Sequence, residues 1–145
     1  MDLSPSAGPP EGEITMRKKA YDPAGLAPAA PRYSQVVRVT TKSLIFIAGQ
    51  TAVDSQGKLV GKGDIEAQAE QVYKNLQTAL KAEGATFDNV VKLNTYVTDM
   101  KSRPILHRIR SKYIRKAPPA STLVGVTALA DPDYLLEVEA IAAIG

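Results

Sequence analysis

Tyr134-Leu135-Leu136-Glu137-Val138-Glu139-Ala140-Ile141-Ala142-Ala143-Ile144 reads as a strand whose two faces differ, and that difference decides the architecture. Side chains along a strand point alternately to opposite sides. Leu136, Val138, Ala140 and Ala142 therefore share a wholly apolar face suited to packing under helices. Leu135, Glu137, Glu139 and Ile141 share the other, where apolar area is mixed with two carboxylates. What covers each face depends on the elements upstream.

The sequence supplies two helices. Ile65, Ala69, Val72, Leu76, Ala79 and Leu80 recur at the helical period, which predicts an amphipathic helix from about Ile65 to Glu83, with Asp64 as N-cap and Gly84 as the C′ residue. A second helix is expected after Ser102, with Pro104 in its first turn, running to about Arg115 and burying Leu106, Ile109 and Tyr113. Pro118 and Pro119 end it. Between the helices Asn89–Val97 alternates, placing Val91, Leu93, Thr95 and Val97 opposite Lys92, Asn94 and Tyr96. Earlier, Gln35–Thr40 and Leu44–Gly49 are β-branched strands joined by Thr41-Lys42-Ser43, which predicts a hairpin. Leu44, Phe46 and Ala48 oppose Ile45 and Ile47, so both faces of the second strand are apolar and it is expected to be central. Asp54-Ser55-Gln56-Gly57 is a polar turn leading to a short strand through Leu59 and Val60, and Ser121–Thr127 is the penultimate strand.

This order is that of an α+β domain: a mixed sheet with two helices on one face. Two helices cover only one face, so the face bearing Glu137 and Glu139 is expected to be buried by other copies of the chain. Residues 1–32 hold six of the ten prolines and read as a tail or extended arm, with Arg17-Lys18-Lys19 a solvated basic cluster. The single folded domain, 33–145, is then expected to begin near Tyr33.

At 145 residues the chain has room for one domain. The absence of cysteine removes disulfides, thiolate nucleophiles and Cys-containing zinc sites, and a lone histidine, His107, removes most His-based metal cages. A net charge of +3 is too small to indicate a dedicated nucleic-acid binder. No apolar run reaches the roughly 18 residues of a membrane span, and the first thirty residues lack a secretory h-region, so a cytoplasmic protein with no membrane partner is expected.

Five motifs in order carry a family resemblance: Ile47-Ala48-Gly49-Gln50; Ala67-Gln68-Ala69-Glu70-Gln71 with Asn75-Leu76; Val90-Val91-Lys92; Pro119-Ala120-Ser121-Thr122; and Leu136 to Ala142. Together they resemble the Rid family, the reactive-intermediate deaminases, also called the YjgF-like or endoribonuclease L-PSP family. The resemblance implies a chorismate-mutase-like subunit, a homotrimer around a central barrel, and ligand clefts between subunits. The activity it implies is hydrolysis of reactive imines and enamines to 2-keto acids and ammonia, with no metal or organic cofactor.

Such chemistry needs a donor fork for the substrate carboxylate and an acceptor that delivers water to the imine carbon. The resemblance assigns the water-positioning role to Glu137, a cleft position to Tyr33, and close backbone approach to Gly49. It implies an arginine after Pro119-Ala120, where this chain has Ser121. A serine offers one neutral hydrogen bond in place of a charge-assisted pair. Arg110 is the cation named as a relocated anchor; its other reading is a solvated helix charge. Tyr33 is otherwise a buried anchor of the first strand, Gly49 a steric relief, and Asn94 either a cleft residue or an interface hydrogen-bonder. His107 reads as a surface residue. Two further functions stand beside the deaminase: a non-catalytic trimer binding a small carboxylate, and an RNA-binding or RNA-cleaving protein using Arg103, Arg108, Arg110, Lys112, Arg115 and Lys116. Sparse aromatics and the missing His pair disfavour nucleic acid.

Overall fold

A computed structural model describes residues 15–145. In chain order these form β1 (Arg17–Tyr21), β2 (Val36–Thr40), β3 (Ser43–Gln50), α1 (Ile65–Ala82), β4 (Val90–Val97), α2 (Arg103–Tyr113), β5 (Ala120–Gly125) and β6 (Leu136–Ile144), with short 3-10 turns before β4 and α2. Of the tail expected over residues 1–32, residues 1–14 lie outside the described residues.

Asp64 starts α1 by accepting the Ala67 amide at 3.1 Å, and Gly84 at φ +68° ends it, both as the sequence predicts. Val72, Leu76 and Leu80 on its apolar stripe are fully buried. They pack with Ile109 of α2 over Leu93, Val97, Leu136 and Val138 of a four-stranded sheet ordered β3-β6-β4-β5. β4 and β5 run parallel and the remaining pairs antiparallel. The sheet is therefore mixed and carries both helices on one face, as expected. β6 alternates buried and half-buried along Leu136–Ala142, which is the two-faced pattern read from the sequence. On β4 the alternation slips: Val90 is buried instead of Val91, because the register with β6 breaks between Val90 and Lys92.

Three expectations are corrected. β2 and β3 form no hairpin; β2 pairs with β1, and β3 with β6. The link between them turns away because the Lys42 amide and Thr41 hydroxyl both donate to the Ile144 carbonyl, which docks the chain on the end of β6. β3 is consequently an edge strand, not a central one. Ile45 and Ile47 meet the core while Phe46 stays 73% and Leu44 49% exposed. Finally, the ordered domain starts before Tyr33. Arg17–Tyr21 is a strand, and Lys18 is no solvated charge: its Nζ donates to the Val90 carbonyl at 2.8 Å, pinning the β1–β2 ribbon beside β4.

The proline-rich loop between β1 and β2 is held by Asp22. Its carboxylate accepts from the amides of Ala29 at 2.7 Å, Ala30 at 3.1 Å and Gln35 at 2.9 Å, and these bonds hold its carboxyl below the usual range. At the other end Ser34 donates its hydroxyl to the Pro118 carbonyl at 2.7 Å and its amide to that of Pro119 at 3.1 Å. Arg32 and Tyr33 are thereby seated beside the start of β5.

Gln68, fully buried on α1, ties two loops to the core. Its Nε2 donates to the carbonyls of Gly61 at 3.0 Å and Asp133 at 2.9 Å, and its Oε1 accepts the Leu135 amide at 2.9 Å. A leucine of similar size takes the Gln68 bonds from the Asp133 carbonyl and the Leu135 amide, while the Gly61 carbonyl keeps the Asp64 amide at 2.9 Å. Gln68→Leu is expected to lower the unfolding free energy by about 3 kcal/mol in urea denaturation, with an unchanged m-value. A loss below about 0.5 kcal/mol would show that water replaces the amide.

Candidate active site

α2 presents Arg103, His107 and Arg110 on one face at i, i+4 and i+7. That face looks across a cavity of about 370 Å³ toward Ser121 and Leu123 of β5, with Arg32 and Tyr33 closing it from the loop. Ser121 pairs with Leu93 in the sheet, and Leu93 is a core residue, so Ser121 points to the helix-covered face. There Arg110 Nη1 donates to Ser121 Oγ at 3.1 Å. Arg110 Nη2 is shut off from solvent and has no hydrogen-bond partner among the described residues. An unsatisfied buried charged donor costs upward of roughly 1–3 kcal/mol. Burial lowers the Arg110 pKa and the nearby Tyr73 opposes the shift, yet a guanidinium keeps its charge in proteins. Tyr73, stacked on Tyr113 at 5.1 Å, is itself pushed up to about 12 by burial, so it stays a neutral phenol.

The cavity wall carries three arginines and no acid. His107 completes it, although the sequence reading left this residue on the surface. The i, i+4, i+7 spacing with Arg103 and Arg110 was the signal that grouped them. Desolvation, then the charges of Arg103, Arg32 and Arg110, lower the imidazole pKa, so the ring is neutral near pH 7 in the free protein. Arg32 had no such signal, because only the Asp22 and Ser34 bonds bring its loop here.

Glu137 is not in this cavity. It pairs with Tyr96 on the opposite face of the sheet, beside Glu139 and Asn94. Gly49 lies against it: a Cβ at Gly49 would stand 2.8 Å from Glu137 Cδ and 2.9 Å from Cγ. The register of β3 on β6 breaks between Ile47 and Gln50, so Gly49 sits at a bulge that admits the glutamate side chain. Glu139 is engaged within its own chain, accepting from Asn94 Nδ2 at 3.0 Å and Tyr96 Oη at 2.8 Å, and these bonds hold its carboxyl below the usual range. Asn94 is thus committed to Glu139, with its Oδ1 buried and unpartnered. The six residues read from the sequence fall into two groups on opposite faces: Tyr33, Arg110 and Ser121 by the helices, and Gly49, Asn94 and Glu137 on the open face.

The basic helix is less available than its sequence implies. Arg108 pairs with Glu66 at 3.1 Å and Lys112 with Glu70, both acids on α1, and Arg110 is turned inward. No group of acids, histidines or cysteines able to hold a metal occurs among the described residues.

Residues 24–144 match the family described as Endoribonuclease L-PSP. The 2-iminobutanoate/2-iminopropanoate deaminase of Mus musculus is 39% identical over 124 residues, spanning 85% of this chain and 86% of that protein. The chain belongs to the Rid family. A Rid protein of unknown function from Yersinia pestis superposes with a TM-score of 0.82 at 35% identity, covering 88% of this chain and 98% of that one. The Rid subunit fold accounts for the mixed sheet and its two helices. Protein MMF1, mitochondrial, of Saccharomyces cerevisiae is 33% identical over 102 residues, 70% of this chain and 68% of that protein, so family membership alone does not assign the cytoplasm. No helix among the described residues is long and apolar enough to cross a membrane.

As the only histidine, His107 gives a single assignable imidazole signal. In an NMR titration it is expected to show a pKa below the usual value of about 6.5, and Arg110→Ala is expected to move it upward. A value at or above 6.5 in the wild type would place the ring outside the cationic cavity.

Proposed function

We propose that this Rid protein hydrolyses a small 2-imino or enamino acid to a 2-keto acid and ammonia, in clefts between the copies of a homotrimer. The observation that carries this reading is the Arg110 guanidinium in the cavity wall, whose Nη1 donates to Ser121 Oγ while its buried Nη2 has no partner among the described residues. A substrate carboxylate supplies the missing acceptor, and the charge-assisted bond offsets the cost of burying the guanidinium. Arg110 thus takes the anchoring role that the resemblance gives to the position of Ser121.

Glu137 cannot reach that carboxylate from its own chain, since the sheet stands between them. A second copy must bring it. The open face supports such packing, because Phe46, Leu44 and Val124 are exposed on it at 73%, 49% and 39%. With the substrate carboxylate on Arg110, Glu137 from the neighbour holds a water at the C2 carbon and takes its proton as the oxygen attacks the protonated imine. That proton passes to the carbinolamine nitrogen, the C–N bond breaks as Glu137 takes the proton of the C2 hydroxyl, and this second proton leaves with the ammonia as ammonium. The balance is iminium plus water to keto acid plus ammonium, with no redox change, which agrees with a cofactor-free reaction. An enamine enters the same route after protonation at C3. The mouse relative's name, that of an imine deaminase, is further support. A non-catalytic carboxylate binder would use the same Arg110 anchor, and Ser121 favours it by offering only one neutral hydroxyl.

Release of 2-keto acid from imines generated in situ separates the two. Wild type is expected to exceed the spontaneous rate; Glu137→Gln should lose about 100-fold in kcat, and Arg110→Ala should raise KM about tenfold or more. Gly49→Ala should lower kcat while leaving the fold intact, because the carboxylate end of Glu137 moves and the backbone does not. No acceleration by wild type, with activity gained in Ser121→Arg, establishes the binder instead. For the assembly, sedimentation equilibrium should give three times the 15.5 kDa chain mass, falling to that of the single chain in Phe46→Glu. A wild-type monomer at micromolar concentration excludes the shared cleft.

A further inference from the structure

Arg110 satisfies one carboxylate, but it is not the only cation at the cavity. Arg32 and Arg103 stand at its rim, both exposed, and neither forms an ion pair among the described residues. Arg108, by contrast, pairs with Glu66 of α1 at 3.1 Å. Arg32 and His107 also line two adjoining cavities, one reaching Ser111 and Ile114 and one reaching Pro104 and Arg108. The space beside Ser121 therefore continues outward between the rim arginines.

The charges do not balance for a simple 2-imino acid. The three arginines carry three positive charges. Glu137 of a neighbouring copy and one substrate carboxylate remove two, leaving one guanidinium uncompensated before the iminium proton is counted. Converging cations of this kind without an acid repel one another, and a bound anion relieves them. A bare guanidinium at a rim accepts either a carboxylate or a phosphate, since its fork fits both. One surplus charge matches the monoanionic carboxylate.

We propose that the cavity selects a substrate with two carboxylates, the 2-carboxylate on Arg110 and Ser121 and the distal one between Arg32 and Arg103. Such a substrate is the imine or enamine of a dicarboxylic amino acid. This inference rests on the cleft being the substrate site proposed above. It makes Arg32 and Arg103 specificity residues, distinct from the groups that act on the imine. His107 faces Arg32, Arg103 and Arg110 and gains a proton more readily when an anion sits among them, so binding of the diacid is coupled to proton uptake on the imidazole.

Two stable keto acids of similar length test the selection by isothermal titration calorimetry on the assembled protein. 2-Oxoglutarate carries a distal carboxylate where 2-oxopentanoate has a methyl group. The wild type is expected to bind 2-oxoglutarate about tenfold tighter or more at low salt, with the advantage shrinking as salt rises. Arg32→Ala and Arg103→Ala should each cut that ratio about threefold or more, and the lysine variants should restore part of it. The imidazole signal of His107 should move toward its protonated position on adding 2-oxoglutarate and much less with 2-oxopentanoate. Equal affinities in wild type, no binding of either acid, or a preference that survives both alanine variants overturns the inference. The deaminase reading fails separately: a preference for the diacid with no imine turnover leaves this selection standing and removes the reaction, while turnover without preference does the reverse.

Discussion

The sheet has two faces, and both helices lie on the same one. That constraint governs nearly everything else about the molecule. The covered side is a continuous apolar core in which Val72, Leu76, Leu80, Leu93, Ile109, Leu136 and Val138 are all fully buried. Among the described residues no helix lies on the other side, which carries Phe46 and Leu44 together with Glu137, Glu139, Asn94 and Tyr96. Apolar area and hydrogen-bonded carboxylates on one surface are the mixture expected where identical chains meet. The polar members are already ordered by their own chain, through the bonds from Asn94 and Tyr96 to Glu139.

The same division splits the candidate site. A guanidinium buried beside Ser121 and a glutamate seated against Gly49 are on opposite sides of one four-stranded sheet. In the proposed reaction each of these groups needs the other from a second copy. Arg110 is held by Ser121 on the inner face of α2, while Glu137 is seated against the bulge at Gly49. Preorganised groups of this sort spend little free energy on being positioned. The charges divide the same way: Arg32, Arg103 and Arg110 gather in the helix-side cavity, and Glu137 and Glu139 stand on the open face, a complementarity the proposed assembly uses.

Local pattern made much of the fold legible. Asp64 and Gly84 bound α1 because a cap and a left-handed residue act within a few positions of themselves. The two-faced reading of residues 134–144 held because alternation is a local property of extended chain. What failed was partner choice. Three residues between β2 and β3 are short enough for a hairpin, yet the Thr41 and Lys42 bonds to Ile144, about a hundred residues away, send β3 to β6. Arg17-Lys18-Lys19 had the composition of a solvated cluster, and only the carbonyl of Val90 gives Lys18 a different fate. In the site, Arg110, Ser121 and Tyr33 were nameable and prove to share one cavity, whereas Arg32 and His107 were missed.

The sequence by itself determined the element types, the two faces of the last strand, the one-sided helix coverage and, through its five ordered motifs, membership of the Rid family. These rest on periodicity, caps and residue identity, all of which are set by neighbours in the chain. The tertiary structure decided which strands pair, which cations converge on the cavity, and that Glu137 faces away from Arg110. Those outcomes depend on bonds between distant residues: Ser34 to Pro118, Asp22 to Gln35 across its loop, and the register that sets Leu93 opposite Ser121 but Tyr96 opposite Glu137. A one-residue change of register reverses the side on which a side chain stands, and no local pattern contains that information.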